Sequence, residues 1–406
     1  MAIKELFYDN RPRVLLDPRA SQRIDPRFTF TRDSIGTFVD RNGIIQTAGV
    51  NEPRFNYDPK TGEFLGLLLE ESRRNLFKNS SVPCNDGRAV TDVVNGIDLY
   101  TITSDNFTSA YLSASGAGNS AFITVQQGVE YVVSFTLKGS IFNTVTCRLI
   151  TNIGGLLTDT GSVVPTSAGG RVSVKLTCTV SGSAQLFLGM LPGRSVNFGG
   201  LQVEAGSYPT SYIPTTTIAV TRAADLLSIE APLPATGSIY IDARAISANE
   251  NDTLLSLKND SNNKIDLAYL SNTATYNSLA LIANYDGVIK SSLPLPVPTT
   301  DRERNIITYG ANNYQYGRDS SRFATSLSSS VPTNLNKLSI GHDAVDATKA
   351  FHGYINTVYA WSGELTREVA EALVRGEIDA INADTYSPTG PAGSLALVIK
   401  IGRAHV

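Results

Sequence analysis

Long stretches of this chain alternate apolar and polar residues with period two, and this pattern restricts its fold more than any other feature. In VEYVVSFTLKG, Val129, Tyr131, Val133, Phe135 and Leu137 fall on one side, with Glu130, Ser134, Thr136 and Lys138 on the other. RVSVKLTCTV alternates as cleanly, and GSIYIDARA sets Ile239, Ile241 and Ala243 against Ser238, Tyr240 and Asp242. Successive side chains of a strand point to opposite faces, so each segment predicts a strand with one dry and one wet face, as in antiparallel sheets. Asn42-Gly43 and Asp286-Gly287 are hairpin dipeptides, because a tight primed turn requires positive φ. Only LTREVAEALVRGEIDAIN reads as a helix: Thr366 can cap its start, Val369 and Leu373 share a face, and Gly376 ends it. The expected fold is all-β, with two antiparallel β-sandwiches behind a mainly β N-terminal region.

At 406 residues the chain is long for one domain. The loop KNSSVPCNDGRAV and the stretch GSYPTSYIPTTT mark boundaries, giving an N-terminal region 1–80, a sandwich 81–214 and a second sandwich 215–383. The segment DTYSPTGPAGS opens a flexible tail, 384–406. Its end, IGRAHV, resembles an in-frame translation of a sequencing-library adapter, in which case the native chain continues past Lys400; the alternative is an ordinary C-terminus. Charged residues make up 17% of the chain, below the roughly 25% usual for soluble proteins. The net charge of −3 and the absence of a basic cluster argue against a nucleic-acid partner. No run approaches a membrane span, and the N-terminus has no apolar signal core. Cys147 and Cys178 alternate in phase with their apolar neighbours and read as buried strand residues; with Cys84 they are too few for a disulfide framework. His342, His352 and His405 are not spaced as a zinc site.

Four parts of the chain carry a resemblance. DPRFTFTRDSIGTFVDRNGIIQTAGVNEPRFNYDPKTGEFLGLLLEESRRNLF contains Thr-Arg, Gly-Thr, Pro-Arg-Phe-x-Tyr-Asp and Gly-Leu-Leu-x-Glu, and ends in Arg-x-Asn-Leu. It resembles an N-terminal segment of phage virion proteins, with Arg74 where those have Thr. LQVEAGSYPTSYIPTTTIAVTRAADLLSI, with Gln-x-Glu-x-Gly, Thr-Ser-Tyr-Ile-Pro-Thr and Thr-Arg-Ala-Ala-Asp, resembles the junction that follows in the same proteins. The middle domain resembles a carbohydrate-binding-module-like jelly roll. The last, through LNKLSIGHDAVDATKAFHGYINTVYAWSGELTREVAEAL, resembles a concanavalin A or laminin-G-like sandwich. The resemblance implies a structural protein of the virion, assembled in the host cytoplasm, in a tail fibre, spike or appendage. It implies other virion proteins as partners and a homo-oligomer, most often a trimer in such fibres. It also implies lectin-like attachment to host surface glycan, with a purely architectural role or a polysaccharide depolymerase as the alternatives.

For glycan, flat aromatic faces with amide and carboxylate hydrogen bonds are the tools, and YGANNYQYGRDSS gathers Tyr309, Asn312, Asn313, Tyr314, Tyr316 and Asp319. Strand parity allows the competing reading that Tyr314 and Tyr316 face a core. Trp361 reads as core. No cofactor is expected; by analogy with laminin-G-like folds, Asp343 and Asp346 are the candidates for Ca2+. Glu70 and Glu71 are adjacent, so a strand would point them apart, whereas a glycosidase needs two carboxyls on one cleft. No Glu-x-Asp-x-Glu occurs anywhere, the nearest, GEIDAIN, lying in the helical segment, and no nucleophile motif occurs, so no enzymatic activity is expected. Arg32, Arg54, Arg73, Arg74 and Arg222 lie beside apolar strands and near acids such as Asp33, Asp58, Glu70 and Asp225, the alternative being a set of ordinary surface arginines. The planar guanidinium holds carboxylates in fixed geometry. These residues are expected to form structural ion pairs tying the N-terminal region to the sandwiches.

Overall fold

The computed structural model describes residues 13–16, 22–81, 89–103, 122–150, 155–247, 252–271, 277–296, 302–319, 322–327 and 330–377. Cys84, His405 and the expected tail with its IGRAHV end lie outside these residues. The named strands pair antiparallel, and the fold is two β-sandwiches. The larger sandwich sets an eight-stranded sheet against a seven-stranded one. The eight-stranded sheet runs from Arg322–Ser326 through Asn313–Arg318, Arg302–Gly310, Gly237–Ser247 and His352–Trp361 to Phe64–Leu69 and Arg54–Tyr57. Its remaining strand, Arg13–Leu16, also pairs with His352–Trp361. The opposing sheet begins at Thr29–Thr31, which pairs with Leu226–Glu230, and ends at Val288–Pro296.

The first eighty residues thus lend strands to both sheets of the sandwich completed by residues 226–361. Leu67 and Leu69 show why. Their shared face fills the core with Ile239, Ile241, Leu255, Leu338 and Ile355, all at most 1% exposed. A two-stranded ribbon of Arg54–Tyr57 and Phe64–Leu69 could not bury that face alone. The fit is close at Gly66, where φ is 132° and a Cβ would lie 2.8 Å from the carbonyl oxygen of Ile355.

The second sandwich spans residues 92–205. Gly170–Thr177, Glu130–Lys138, Ser195–Ala205, Ile97–Thr103 and Asp92–Val94 make one sheet; Ile123–Val125, Gly182–Gly189, Val145–Ile150 and Gly161–Val163 make the other. Tyr131, Val133, Phe135 and Leu137 point into its core, on the face the alternation assigns them. Cys147 and Cys178 are there too, buried and unbridged, and burial pushes the Cys147 thiol up to about 12.

The polar faces are drier than alternation alone implies. Ser134 and Thr136 are buried because Tyr212 and the hairpin Gly36–Val39/Ile45–Ala48 pack near that sheet face, where Tyr212 joins Val94, Ile97, Leu99 and Ile45. On the larger sandwich, the helix Arg367–Arg375 covers the outer side of the eight-stranded sheet, burying Tyr240, Tyr359 and Trp361 under Val369, Ala370 and Leu373. Thr366 accepts from the Val369 amide and Gly376 closes the helix at φ 71°, as the sequence predicts. Asp286 and Gly287, at φ 52° and 75°, form the expected hairpin turn.

Candidate functional site

The residues proposed for glycan do not make a surface. Tyr309, Tyr314 and Tyr316 are 0% exposed and belong to the core of the larger sandwich. The Tyr314 hydroxyl donates to the Ser330 carbonyl (2.8 Å) and that of Tyr316 to Asn305 Oδ1 (2.9 Å). Asn312 is a turn residue at φ 62°, Asn313 donates to Glu364, and Asp319 accepts from the Arg304 amide. Parity puts the three tyrosines on one face, and that face is the core. The Tyr314→Ala substitution is therefore expected to cost about 3–5 kcal/mol by leaving a cavity, read as a lower urea midpoint, with glycan retention per folded molecule unchanged.

The calcium candidates are also engaged otherwise. Asp343 Oδ2 lies 2.7 Å from Lys264 Nζ, and its Oδ1 accepts from the amides of Val345 and Asp346. Asp346 accepts from the amide and hydroxyl of Thr348. The ammonium of Lys264 stands where a cation would be needed, and among the described residues no cluster of three or more His, Cys, Asp or Glu could hold a metal ion.

What the structure does assemble is a buried charged junction. Phe64–Leu69 carries Glu70 out of the sheet, Arg54–Tyr57 carries Arg54 beside it, and the segment after Val220–Arg222 brings in Asp225. Arg32, Arg54, Glu70, Arg222 and Asp225 are each at most 1% exposed. Arg32 Nη1 lies 3.0 Å from Asp225 Oδ1, and Arg54 bridges both acids, at 2.8 Å to Glu70 Oε2 and through its other nitrogen to Asp225. Arg222 reaches Glu70 at 3.5 Å and Asp225 at 3.7 Å. Backbone groups lock the acids together: the Glu70 amide donates to Asp225 Oδ2 (3.0 Å) and the Asp225 amide to the Glu70 carbonyl (2.9 Å). Arg32, Arg54, Glu70, Arg222 and Asp225, all expected in ion pairs, meet here. Arg74 does not: it is exposed on the short strand Arg73–Asn75, and Arg73 pairs with Glu71 instead (2.6 Å).

The sequence left several partners unassigned. Ser211, in the crossover between the sandwiches, donates its amide and hydroxyl to the two Glu70 oxygens (2.8 and 2.7 Å). His352 Nε2 lies 3.2 Å from Glu70 Oε1, its ring stacked on Tyr208. Gln202 and Glu204 of the Gln-x-Glu-x-Gly strand hold the same crossover by accepting from the amides of Ile213 (2.6 Å) and Thr210 (3.0 Å). Thr37 of the hairpin donates to the Tyr212 carbonyl (2.5 Å). Burial by itself raises the Glu70 carboxyl, but Arg222 and Arg54, with the His352 hydrogen bond, outweigh it and hold Glu70 well below the usual carboxylate value. An acid so engaged is a structural anion, not a proton donor.

No family model matches the chain, and no curated protein matches it. Among solved structures, the CBM40 of a Ruminococcus gnavus IT-sialidase bound to alpha2,3 sialyllactose overlaps 35% of this chain and 83% of its own, at 18% identity and TM-score 0.29. Domain 4 of AbnA, an arabinanase from Geobacillus stearothermophilus, in complex with arabinotriose, overlaps 41% and 82%, at 11% identity and TM-score 0.32. Tailspike protein 2 of Escherichia coli O157:H7 bacteriophage CAB120 overlaps 39% of this chain and 24% of its own, at 17% identity and TM-score 0.31. At these scores the likenesses carry no further conclusion.

Proposed function

We propose that the chain is a non-enzymatic structural component of a phage virion, of tail-fibre or surface-appendage type, that attaches to host cell-surface glycan. One observation carries this reading. The segments that resemble phage virion proteins are those that meet at the junction: they supply Arg32, Arg54 and Glu70 from the first, and Gln202, Glu204, Ser211, Arg222 and Asp225 from the second. Motifs some two hundred residues apart that close into one buried network hold the two sandwiches and the hairpin together, as an appendage that presents binding modules requires. Glu70 and Glu71 do not share a cleft, since Glu70 answers arginines and Glu71 answers Arg73, which supports the non-enzymatic part of the reading.

Attachment of this kind works through copy number, and a trimer displaying weak sites gains orders of magnitude in avidity. The experiment is retention of the full chain, displayed multivalently on beads, by bacterial envelope polysaccharide, with reducing ends assayed in the same tubes. Retention without new reducing ends is expected. Release of reducing ends would make it a depolymerase, and absence of retention from every envelope tried would leave a purely architectural role.

A further inference from the structure

Beside the junction lies a cavity of about 200 Å3. Its walls come from each part of the chain that meets there: Phe38 from the hairpin, Arg171 from the second sandwich, Tyr212 from the crossover, and His352 and Tyr354 from the central strand of the larger sandwich, with Glu70 beneath. Sites for drug-sized ligands occupy roughly 300–1,000 Å3, so this one has room for a single ring and not for a chain.

Its charges balance in number but not in pairing. Among the residues that line the cavity or bond directly to its walls, the guanidinium groups are Arg54, Arg171 and Arg222, and the carboxylates are Glu70, Asp225 and Glu204. Glu70 and Asp225 are shared among Arg32, Arg54 and Arg222, while Glu204 is turned toward Gln202 and Thr210. Arg171 is left with neutral partners, the Gly200 carbonyl (2.8 Å) and the Ser134 hydroxyl (2.9 Å), and stacks over the Tyr212 ring at 4.9 Å. Among the described residues no carboxylate forms a direct ion pair with it, and Glu204 acts on it only through space. Burial pushes it down to about 10, which still leaves it a cation at neutral pH.

A cation whose own hydrogen bonds go to neutral groups can still take an anion, and a guanidinium favours a planar carboxylate. The aromatic faces of Phe38, Tyr212 and Tyr354 supply the apolar surface against which the C–H face of a sugar ring packs. We propose that this cavity binds one carboxylate-bearing sugar ring, of the uronic- or sialic-acid class, with the carboxylate toward Arg171. The inference rests on the glycan-attachment reading and gives it a site.

The test titrates the full chain with sodium glucuronate, N-acetylneuraminate and glucose, followed by ligand-observed NMR. At least one acid is expected to bind about tenfold or more tightly than glucose, which corresponds to one charge-assisted contact. Ile246 lines the cavity and is 36% exposed, so Ile246→Trp fills the space without altering charge. Both Ile246→Trp and Arg171→Gln are expected to weaken the acid by about tenfold or more. Because Arg171→Gln also removes internal hydrogen bonds, Ile246→Trp is the deciding variant. Equal binding of glucose and both acids, no binding of either acid, or an acid affinity unchanged in Ile246→Trp would each overturn the proposal. Envelope retention separates the two levels: if the wild type is retained while the acids fail, the site lies elsewhere and the attachment reading stands. If retention itself fails, that reading falls.

Discussion

Replacing Asp225 by alanine is expected to destabilise the fold by about 3–5 kcal/mol, the cost of breaking a buried ion pair from one side. Asp225 is 0% exposed and answers Arg32, Arg54 and Arg222, besides accepting from the Glu70 amide. Without it Arg32 loses its carboxylate partner and Arg54 and Arg222 are left to share Glu70, so the junction's excess of buried positive charge rises from one to two. The loss exceeds what the network adds over an apolar core, because desolvation of the arginines is no longer offset. Urea unfolding checks this, with Arg74→Ala as the control. Arg74 is exposed and outside the network, so its replacement is expected to stay within about 0.5 kcal/mol of the wild type. A loss for Arg74→Ala as large as that for Asp225→Ala would show that the pairings are wrongly assigned.

Glu70→Gln is expected to have a comparable cost at neutral pH, about 3–5 kcal/mol, and a distinctive pH dependence. The usual carboxyl value is 4.5, and in the folded chain Arg222, Arg54 and His352 overcome the effect of burial to hold Glu70 well below it. The unfolded chain therefore takes up the proton first as pH falls. The stabilisation from ionised Glu70 is complete above about 4.5 and declines below it, toward the folded-state value. Urea midpoints measured from pH 6 to pH 3 should fall for the wild type below that point, and fall less steeply for Glu70→Gln. Parallel acid limbs in the two proteins would mean that Glu70 is not the ionised centre of the junction.

Much of this was legible in the residues, and what was not has identifiable causes. Period-two alternation fixes which side chains share a face, so Tyr131, Val133, Phe135 and Leu137 were readable as one core face. It does not say whether the opposite face is covered, and Ser134 and Thr136 are buried by residues far along the chain. The same ambiguity governs Tyr314 and Tyr316: their parity was clear, and only packing decides that the shared face is the interior. Pairing is harder still. Nothing local to GEFLGLLLEESRRNLF announces that Leu67–Leu69 lies against Gly353–Ile355, far along the chain. At the junction, arginines beside acids pointed to Arg32, Arg54, Glu70, Arg222 and Asp225. His352 and Ser211 carried no such signal, because an isolated histidine and a loop serine look alike whether buried or wet. Arg73 and Arg74 are adjacent and equally plausible from the sequence; a strand points them to opposite faces, and pattern does not say which face meets Glu71.

The central claim is that the junction holds the crossover between the sandwiches against the N-terminal strands as one unit. Hydrogen exchange over residues 206–216, compared between the wild type and Asp225→Ala under conditions where both are folded, tests it most directly, since local opening is read amide by amide. The account predicts slow exchange at Thr210, Ser211 and Ile213 in the wild type, whose amides donate to Glu204, Glu70 and Gln202, and markedly faster exchange in the variant. Unchanged protection of the crossover in folded Asp225→Ala would contradict it.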